Sequence, residues 1–581
     1  MSFDVPPSSS KRMTLKSNIE ILGSLLKNNT GPSSKSLTSD EIAALEQLHS
    51  SILSSFSDEN STSSKSLMSK KGMKSMKSIT KSMKENEEDE DLTIAYKDVL
   101  LCNGITAVGI QNVVQFRTGH SSNSIKTIPL RNATRVSGHR LGKMIQSYNG
   151  NKASYGLRIS ELSQSDRGSE LSLSVSSYIP PEWTKLTTTD VKTRLTKLLS
   201  WDNLANWQFS IVEVSRLTDH PLLFVGWVLF CEPIPFFMCE STTKDEEDKE
   251  QTPYRYRFAE YIDINPEQIC NFLREIESRY NSDVPYHNNI HAADVTQTLH
   301  CIFQMMDQAE LMRIYSPMTI FSLLLAATYH DVGHDGYNNT FHQNALTPFA
   351  IQYNDVSVLE NMHSHIGNSL LFGEEKRDEW DLFGSWPRDA QMSARKVMIS
   401  GILGTDMSGH FTHMEELNAV VEEVHRLQLK EFGTDEEQPI LSILSANLDI
   451  NESCDEQSQP PKLVEECKKL ADLLLIFLLH SADVSNPAKR QDVTIYWAEK
   501  ALFEFFLQGD REKEMGLPVS PLCDRTTVKK PDSQIGFSKF VIQPAFDLLA
   551  EIIPRVNEEV IPIIQSNLKY WKKEKSRHIV Q

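Results

Sequence analysis

Eight of the 17 histidines (His287, His291, His300, His330, His334, His342, His363 and His365) lie between residues 287 and 365. Imidazole is a favoured metal ligand and the side chain that titrates closest to neutrality. A chain that concentrates it this way has to fold so that several of these positions meet around common chemistry. The tightest arrangement is His330-Asp331-Val332-Gly333-His334. On a helix, positions i and i+4 share a face, which would turn His330 and His334 to one side with Asp331 next to them. That spacing imitates the H-E-x-x-H zinc motif, although aspartate is one methylene shorter than the glutamate base. A tandem His-Asp also permits a second use: the imidazole takes one cation while the carboxylate bridges to another, as in two-metal hydrolases acting on phosphoryl groups. His291, which closes Tyr286–His291, and Asp483, within His480–Pro487, are the remote candidates to complete such a shell. Asp483 ahead of Ser-Asn-Pro is equally a turn former.

The surroundings of these residues are helical in pattern. Apolar residues recur at helical spacing over Ile264–Tyr280, Ala292–Met306, Thr319–Tyr329, Val356–Leu371, Leu463–Leu479, Ile495–Leu507 and Phe537–Ile552, and strand-like alternation is rare. The expected fold is all-α: a compact multi-helix domain over 195–575, with 92–194 a linker or regulatory region of unclear fold. Two acidic stretches, Lys244–Gln251 and Thr434–Pro461, are expected as surface loops. Residues 1–91 are read as a low-complexity Ser/Lys-rich regulatory tail. The first 84 hold 23 serines and carry +5, leaving −24 of the net −19 on the other 497. Such composition buries too little apolar surface to order itself. Leu15–Leu26 and Glu41–Phe56 are short helix candidates within it. Lys65–Lys84 alternates lysine with Ser, Met and Gly, a weak calmodulin-target-like or membrane-surface pattern, and kinase regulation through the same tail is a further expectation. An acidic body lacks the clustered cations that nucleic-acid binding requires. The longest apolar run, Pro221–Cys231, has 11 residues, about half of a bilayer span, so no transmembrane segment is expected. The N-terminus has no apolar signal region, and the eight cysteines form no C-x-x-C pair, which fits reduced thiols and a cytoplasmic protein.

The segment His330–Phe341 (HDVGHDGYNNTF) resembles the signature of the class I 3′,5′-cyclic-nucleotide phosphodiesterases. The resemblance extends through Tyr286–Val295, Tyr353–Asn361, Thr405–Ser408, Asp483–Pro487 and Ser533–Phe537, and covers roughly residues 200–570 in the family's order. Phe505–Asp510 and Gly516–Arg525 are most similar to the calcium/calmodulin-dependent branch.

The resemblance implies a phosphodiesterase catalytic domain that hydrolyses cAMP, cGMP or both to 5′-monophosphates. It implies two divalent metals: zinc on His291, His330, Asp331 and Asp483, and magnesium or manganese sharing Asp331, with a bridging hydroxide as the nucleophile. His287 matches the general acid. Glu360 would orient His287 or hold water, His334 would bond that water shell, and His363 is a weaker candidate beside them. For His300, His342 and His365 a structural role is expected. At the base end, Gln534 would read the purine, Phe537 would stack on it, Ile535 and Met407 would line the pocket, and Tyr286 and Asn486 would complete it. Asn486 beside Pro487 resembles cAMP-preferring members, while the Gln534 amide can read either purine by rotation. Ala501 stands where a bulkier aliphatic usually opposes Phe537, and Thr494 where some members carry an aromatic ring. Two other functions compete with this reading: a different His-Asp phosphohydrolase acting on nucleotides, and a silent cyclic-nucleotide sensor. Gln534 and Phe537 disfavour the first, and the intact ligand set and His287 disfavour the second.

Overall fold

The computed structural model describes residues 178–232, 253–263, 265–373, 375–433, 438–448 and 460–580. The tail 1–91, including Lys65–Lys84, and most of 92–194 lie outside them. Among the described residues every regular element is a helix, as expected. The principal ones are α1 (Pro221–Cys231), α2 (Pro266–Arg279), α3 (Asn289–Gln304), α4 (Pro317–Tyr329), α5 (Val358–Phe372), α6 (Arg388–Leu403), α7 (His410–Phe432), α8 (Pro461–Asp483), α9 (Gln491–Met515), α10 (Lys530–Phe537), α11 (Gln543–Ile552) and α12 (Ile561–Val580).

Sequence punctuation accounts for many of the helix starts. Asn265, Asn288 and Ser316 accept hydrogen bonds from first-turn amides of α2, α3 and α4, and proline follows directly at α2 and α4, which satisfies or removes otherwise orphaned N–H groups. The apolar run α1 is buried along its whole length. Its N-terminus is closed by a buried carboxylate: Glu277 Oε1 accepts from Leu222 N at 2.9 Å, while Oε2 meets His220 Nδ1 at 2.9 Å. A negative charge there suits the helix dipole. Gly226 lets α1 press against α2, since a Cβ at that position would stand 2.6 Å from Leu273 Cδ1.

α4 is the central helix. It is buried throughout Ile320–Tyr329 and packs on α3, α6 and α8, and its C-terminus therefore delivers His330 to the middle of the molecule. α7 and α8 form the most extensive helix pair. No single helix among the described residues is long and apolar enough to cross a membrane.

Three expectations need revision. Leu195 falls inside a helix, Thr189–Leu198, and Trp183 before it is already in the core. The stretch Thr434–Pro461 is more than a loop, because it contains the helix Ile440–Asn447 with Ile440, Leu441, Ile443 and Leu444 buried. The helix predicted over Phe537–Ile552 is interrupted by a π-helical turn at Ser538–Ile542, a feature common near functional sites.

Candidate metal and acid–base centre

Three helix ends meet at the centre. Asn288 caps α3 through Oδ1, and its Nδ2 donates to Val284 O at 2.9 Å, which fixes the Val284–Asn288 loop and places His291 in the first turn. α4 ends at Tyr329 and α8 at Asp483. One ligand atom from each of His291, His330, Asp331 and Asp483 lies within 4.8 Å of the others. His291 Nε2 is 3.0 Å from Asp483 Oδ1 and 3.4 Å from Asp331 Oδ2. His330 Nε2 is 3.1 Å from Asp331 Oδ2 and 3.3 Å from Asp483 Oδ1.

These four residues fit a divalent cation. His330 Nδ1–H donates to Ala327 O at 2.9 Å, which leaves Nε2 as the inward lone pair, the arrangement of a metal-ligating imidazole. His330 Nε2 and Asp331 Oδ2 are buried without an aligned hydrogen bond, despite their close approach. Buried polar atoms without partners are costly, and a cation at their focus would remove that cost. Burial opposes charge on all four residues, yet mutual attraction holds both carboxylates below, and both imidazoles above, their ordinary values.

The helical reading of His330–His334 does not hold. After His330 the chain turns through Gly333 at φ +79°, a left-handed conformation that glycine adopts readily. A Cβ there would also meet Ile366 Cδ1 at 2.8 Å. His334 therefore leaves the cation cluster and joins His287 and Glu504 in a second one. Its ring stacks on His287 with centroids 4.0 Å apart, and its Nδ1 accepts from Gly336 N at 2.9 Å. Burial, together with the neighbouring His287 charge, holds His334 well below its ordinary value, so it is neutral with its proton on Nε2.

The carboxylate on His287 is Glu504 from α9, and Glu360 does not fill that place. Glu504 Oε1 meets His287 Nδ1 at 2.5 Å, and Oε2 accepts the backbone N–H of Tyr286 at 2.8 Å and of His287 at 3.1 Å. Burial alone would lower His287, but Glu504 and then Asp331 outweigh it and set the imidazole at about 9. Glu504 itself would be raised by burial, yet the His287 charge brings it down to about 2. Glu360 instead receives both of its contacts from Asn339 Nδ2, at 3.1 and 2.9 Å, and burial, then Asp406, raises it well above the carboxylate range. Glu504 is 217 residues from His287 in sequence and belongs to no local motif. Its one signal is that it is the only charged residue in Ala501–Gln508 (ALFEFFLQ).

His363 Nδ1–H donates to Val332 O at 2.8 Å, and its Nε2 stands 3.7 Å from Asp331 Oδ1. His300 pairs with Tyr256 Oη at 2.8 Å and His342 with Thr347 Oγ1 at 2.9 Å, both in the core, while His365 is exposed.

At the expected base end, Asn486 Nδ2 donates to Tyr286 Oη. The turn Asn486–Ala488 packs on the π-turn that follows Phe537, so Asn486 and Phe537 stand on adjoining segments. Phe537, Gln534, Met407 and Ala501 are half-buried. Among the described residues, no hydrogen bond fixes the Gln534 amide. Ile535 departs from expectation: it is 2% exposed in a cluster with Ala498 and Trp571, within the core under α12. Thr494 points back to its own loop, where its hydroxyl bridges Asn486 O and Lys489 O at 2.9 Å each.

Comparison with known proteins gives one family match and several relatives. Residues 286–563 match the family described as 3′5′-cyclic nucleotide phosphodiesterase. The chain is 31% identical over 309 residues to 3′,5′-cyclic-AMP phosphodiesterase 4C of Mus musculus, covering 53% of this chain and 40% of that protein. It is 33% identical over 285 residues to the dual specificity calcium/calmodulin-dependent 3′,5′-cyclic nucleotide phosphodiesterase 1B of Cricetulus griseus, covering 49% of this chain and 44% of that protein. The chain thus spans less than half the length of these two relatives. The phosphodiesterase domain of the RhoPDE fusion protein from Salpingoeca rosetta superposes with a TM-score of 0.50 at 25% identity, over 66% of this chain and 99% of that domain. The matched segment contains every one of His287, His291, His330, Asp331, His334, Asp483 and Glu504, and over that segment the chain is similar to the 3′5′-cyclic nucleotide phosphodiesterase family.

Proposed function

We propose that the chain hydrolyses 3′,5′-cyclic nucleotides to 5′-monophosphates. The observation that carries this reading is His287, braced by Glu504 at 2.5 Å, beside a cluster of four residues that fit a cation. Zinc on His291, His330, Asp331 and Asp483, with magnesium or manganese sharing Asp331, would supply an acidified water and offset phosphoryl charge.

The rest falls to the chain's own groups. Water, with one proton released to solvent, bonds through its oxygen to phosphorus as the P–O3′ bond breaks, while His287 Nε2–H gives its proton to the departing O3′ and is reprotonated from solvent. Glu504 on Nδ1 holds that imidazole in orientation and charge, so the proton leaves from a fixed atom. His334 Nε2–H is a donor for water or a phosphoryl oxygen in the same pocket. Glu360, held by Asn339 and raised by burial, can bond water beside it.

Gln534 and Phe537 are proposed to bind the purine, with Met407, Tyr286 and Asn486 around it. Two features bear on substrate choice. The unfixed Gln534 amide favours use of both cAMP and cGMP, whereas Asn486 is tied up by Tyr286. A cytoplasmic setting belongs to the same proposal and draws support from the free thiols at Cys231, Cys270, Cys301, Cys467 and Cys523.

The test is hydrolysis of cAMP and cGMP by the purified chain with Mg²⁺, Mn²⁺ and Zn²⁺. Wild type is expected to turn over at least one substrate. Asp483→Ala should lose zinc binding and activity together, because it removes a carboxylate that meets both His291 and His330. Equal, negligible turnover by both proteins after metal loading would end the reading. Regulation by calmodulin through Lys65–Lys84 is a separate proposal. A peptide of residues 62–88 should bind calcium-loaded calmodulin, and no binding at micromolar peptide would dismiss it.

A further inference from the structure

A second histidine group lies outside the catalytic clusters, between α7 and α8. His410 and His480 are fully buried, and their rings meet through His410 Nδ1 and His480 Nε2 at 2.7 Å. The other nitrogen of His480, Nδ1, lies 2.9 Å from Gly404 O. His413, one turn further along α7, packs edge-on against His480 with centroids 6.2 Å apart.

Burial lowers His480, and also holds His410 at about 3 and His413 at about 4. All three are therefore neutral near neutrality, which defines the proton arrangement. His480 Nδ1–H donates to Gly404 O, so its Nε2 is a lone pair and must accept from His410 Nδ1–H.

The three elements joined here all lead to the site. His480 stands one turn before Asp483 on α8, and its own carbonyl accepts Val484 N at 3.2 Å, closing the turn that presents Asp483. Gly404 follows α6 and leads into Thr405-Asp406-Met407. The loop lies so close to α8 that a Cβ on Gly404 would stand 2.2 Å from Ile476 Cγ2. His410 opens α7 directly after the turn Met407–Gly409. One imidazole pair therefore ties the helix end bearing a cation ligand to both flanks of the segment bearing Met407.

We propose that His410 and His480 are positioning residues: their hydrogen-bonded pair sets Asp483, on the cation side, in register with Met407, on the base side. This rests on the proposed hydrolysis for its substrate readout, but its cation readout is independent of it. The two residues touch neither substrate nor cation and act through the segments they join. Partners that orient metal ligands from outside the coordination shell typically matter by about 10–100-fold.

The experiment compares His410→Leu, His410→Gln and His410→Asn in the full chain. Asparagine keeps an N–H donor where Nδ1 sits, glutamine carries its donor one bond further out, and leucine has none. Zinc affinity of the metal-stripped protein is measured by calorimetry, and KM and kcat with cAMP and cGMP after loading. The leucine and glutamine variants should bind zinc about 10-fold more weakly, with a parallel rise in KM, while asparagine stays near wild type. If leucine does not fold, glutamine against asparagine carries the comparison. Wild-type zinc affinity and KM in the glutamine variant overturn the proposal, as does an asparagine variant no better than glutamine. A wild type that binds zinc but hydrolyses neither nucleotide overturns the proposed function, while the zinc affinities still judge the pair. A wild type that binds no zinc overturns both.

Discussion

Replacing His287 with asparagine is expected to lower kcat by about 10²–10⁴, the usual contribution of a positioned general acid, with zinc binding intact. The ligand cluster holds that cation without His287, so the two readouts should separate. Glu504→Gln tests the origin of the acid. His287 donates only while protonated, so its contribution is complete well below its folded pKa and is lost as pH rises through it. With Glu504 in place that pKa is about 9. Without the carboxylate charge, burial is opposed only by Asp331 and Asp483, and the pKa falls. The alkaline limb of kcat should therefore move to lower pH in Glu504→Gln. Cations on Asp331 and Asp483 lower the limb in both proteins, so the comparison is between loaded wild type and loaded variant. An unshifted limb would show that Glu504 does not set the charge of His287. Glu360→Gln is the matched control: its carboxyl faces Asn339, and the limb should stay in place.

The second large effect concerns stability. Lys489 is fully buried, with Nζ 2.5 Å from Thr298 Oγ1, 3.5 Å from Gln297 Oε1 and 3.7 Å from Asp294 Oδ1. Its ammonium also lies over the Trp207 ring, 4.9 Å from the centroid. Asp294 accepts from Trp497 Nε1 at 2.9 Å, and the Trp497 ring packs against both Tyr286 and His291. Lys489→Met keeps most of the volume but leaves Asp294 buried without its cation, which should cost about 3–5 kcal/mol. Chemical denaturation should show a lower midpoint at unchanged slope. Lys489→Met combined with Asp294→Leu should recover part of the loss, because no unpaired charge remains, while the Trp497 N–H and Gln297 Oε1 lose their partners. A single variant as stable as wild type would mean that water reaches the pair.

The four residues that cluster as candidate cation ligands were legible because each sits in a short segment whose neighbours are informative. His330 and Asp331 are adjacent, His291 closes Tyr286–His291, and Asp483 ends an apolar helix that periodicity marks. The all-helical fold was legible for a related reason. Apolar spacing of about 3.6 residues is a local property, and capping residues such as Asn265, Asn288 and Ser316 stand next to the helices they start.

What escaped was long-range or conformational. Ile535 is expected by motif to line a purine pocket, but it packs under α12 in the core. Helix Ile440–Asn447 is flanked by acidic and polar stretches that mask its eight residues. Glu504 is invisible from the neighbourhood of His287: standing as the lone charge in Ala501–Gln508 sets it apart but names no distant imidazole as its partner.

By itself, then, the sequence determined which residue types could bind a cation and which short segments carry them, because ligand chemistry and helix periodicity are written within a few residues. Only the tertiary structure decided how these residues divide their work. The left-handed turn at Gly333 separates His334 from His330, and α9 brings Glu504 across to His287. Charge energies depend on distance and burial in space, so the acid–base partnership and the His410–His480 tie exist only once the helices have packed.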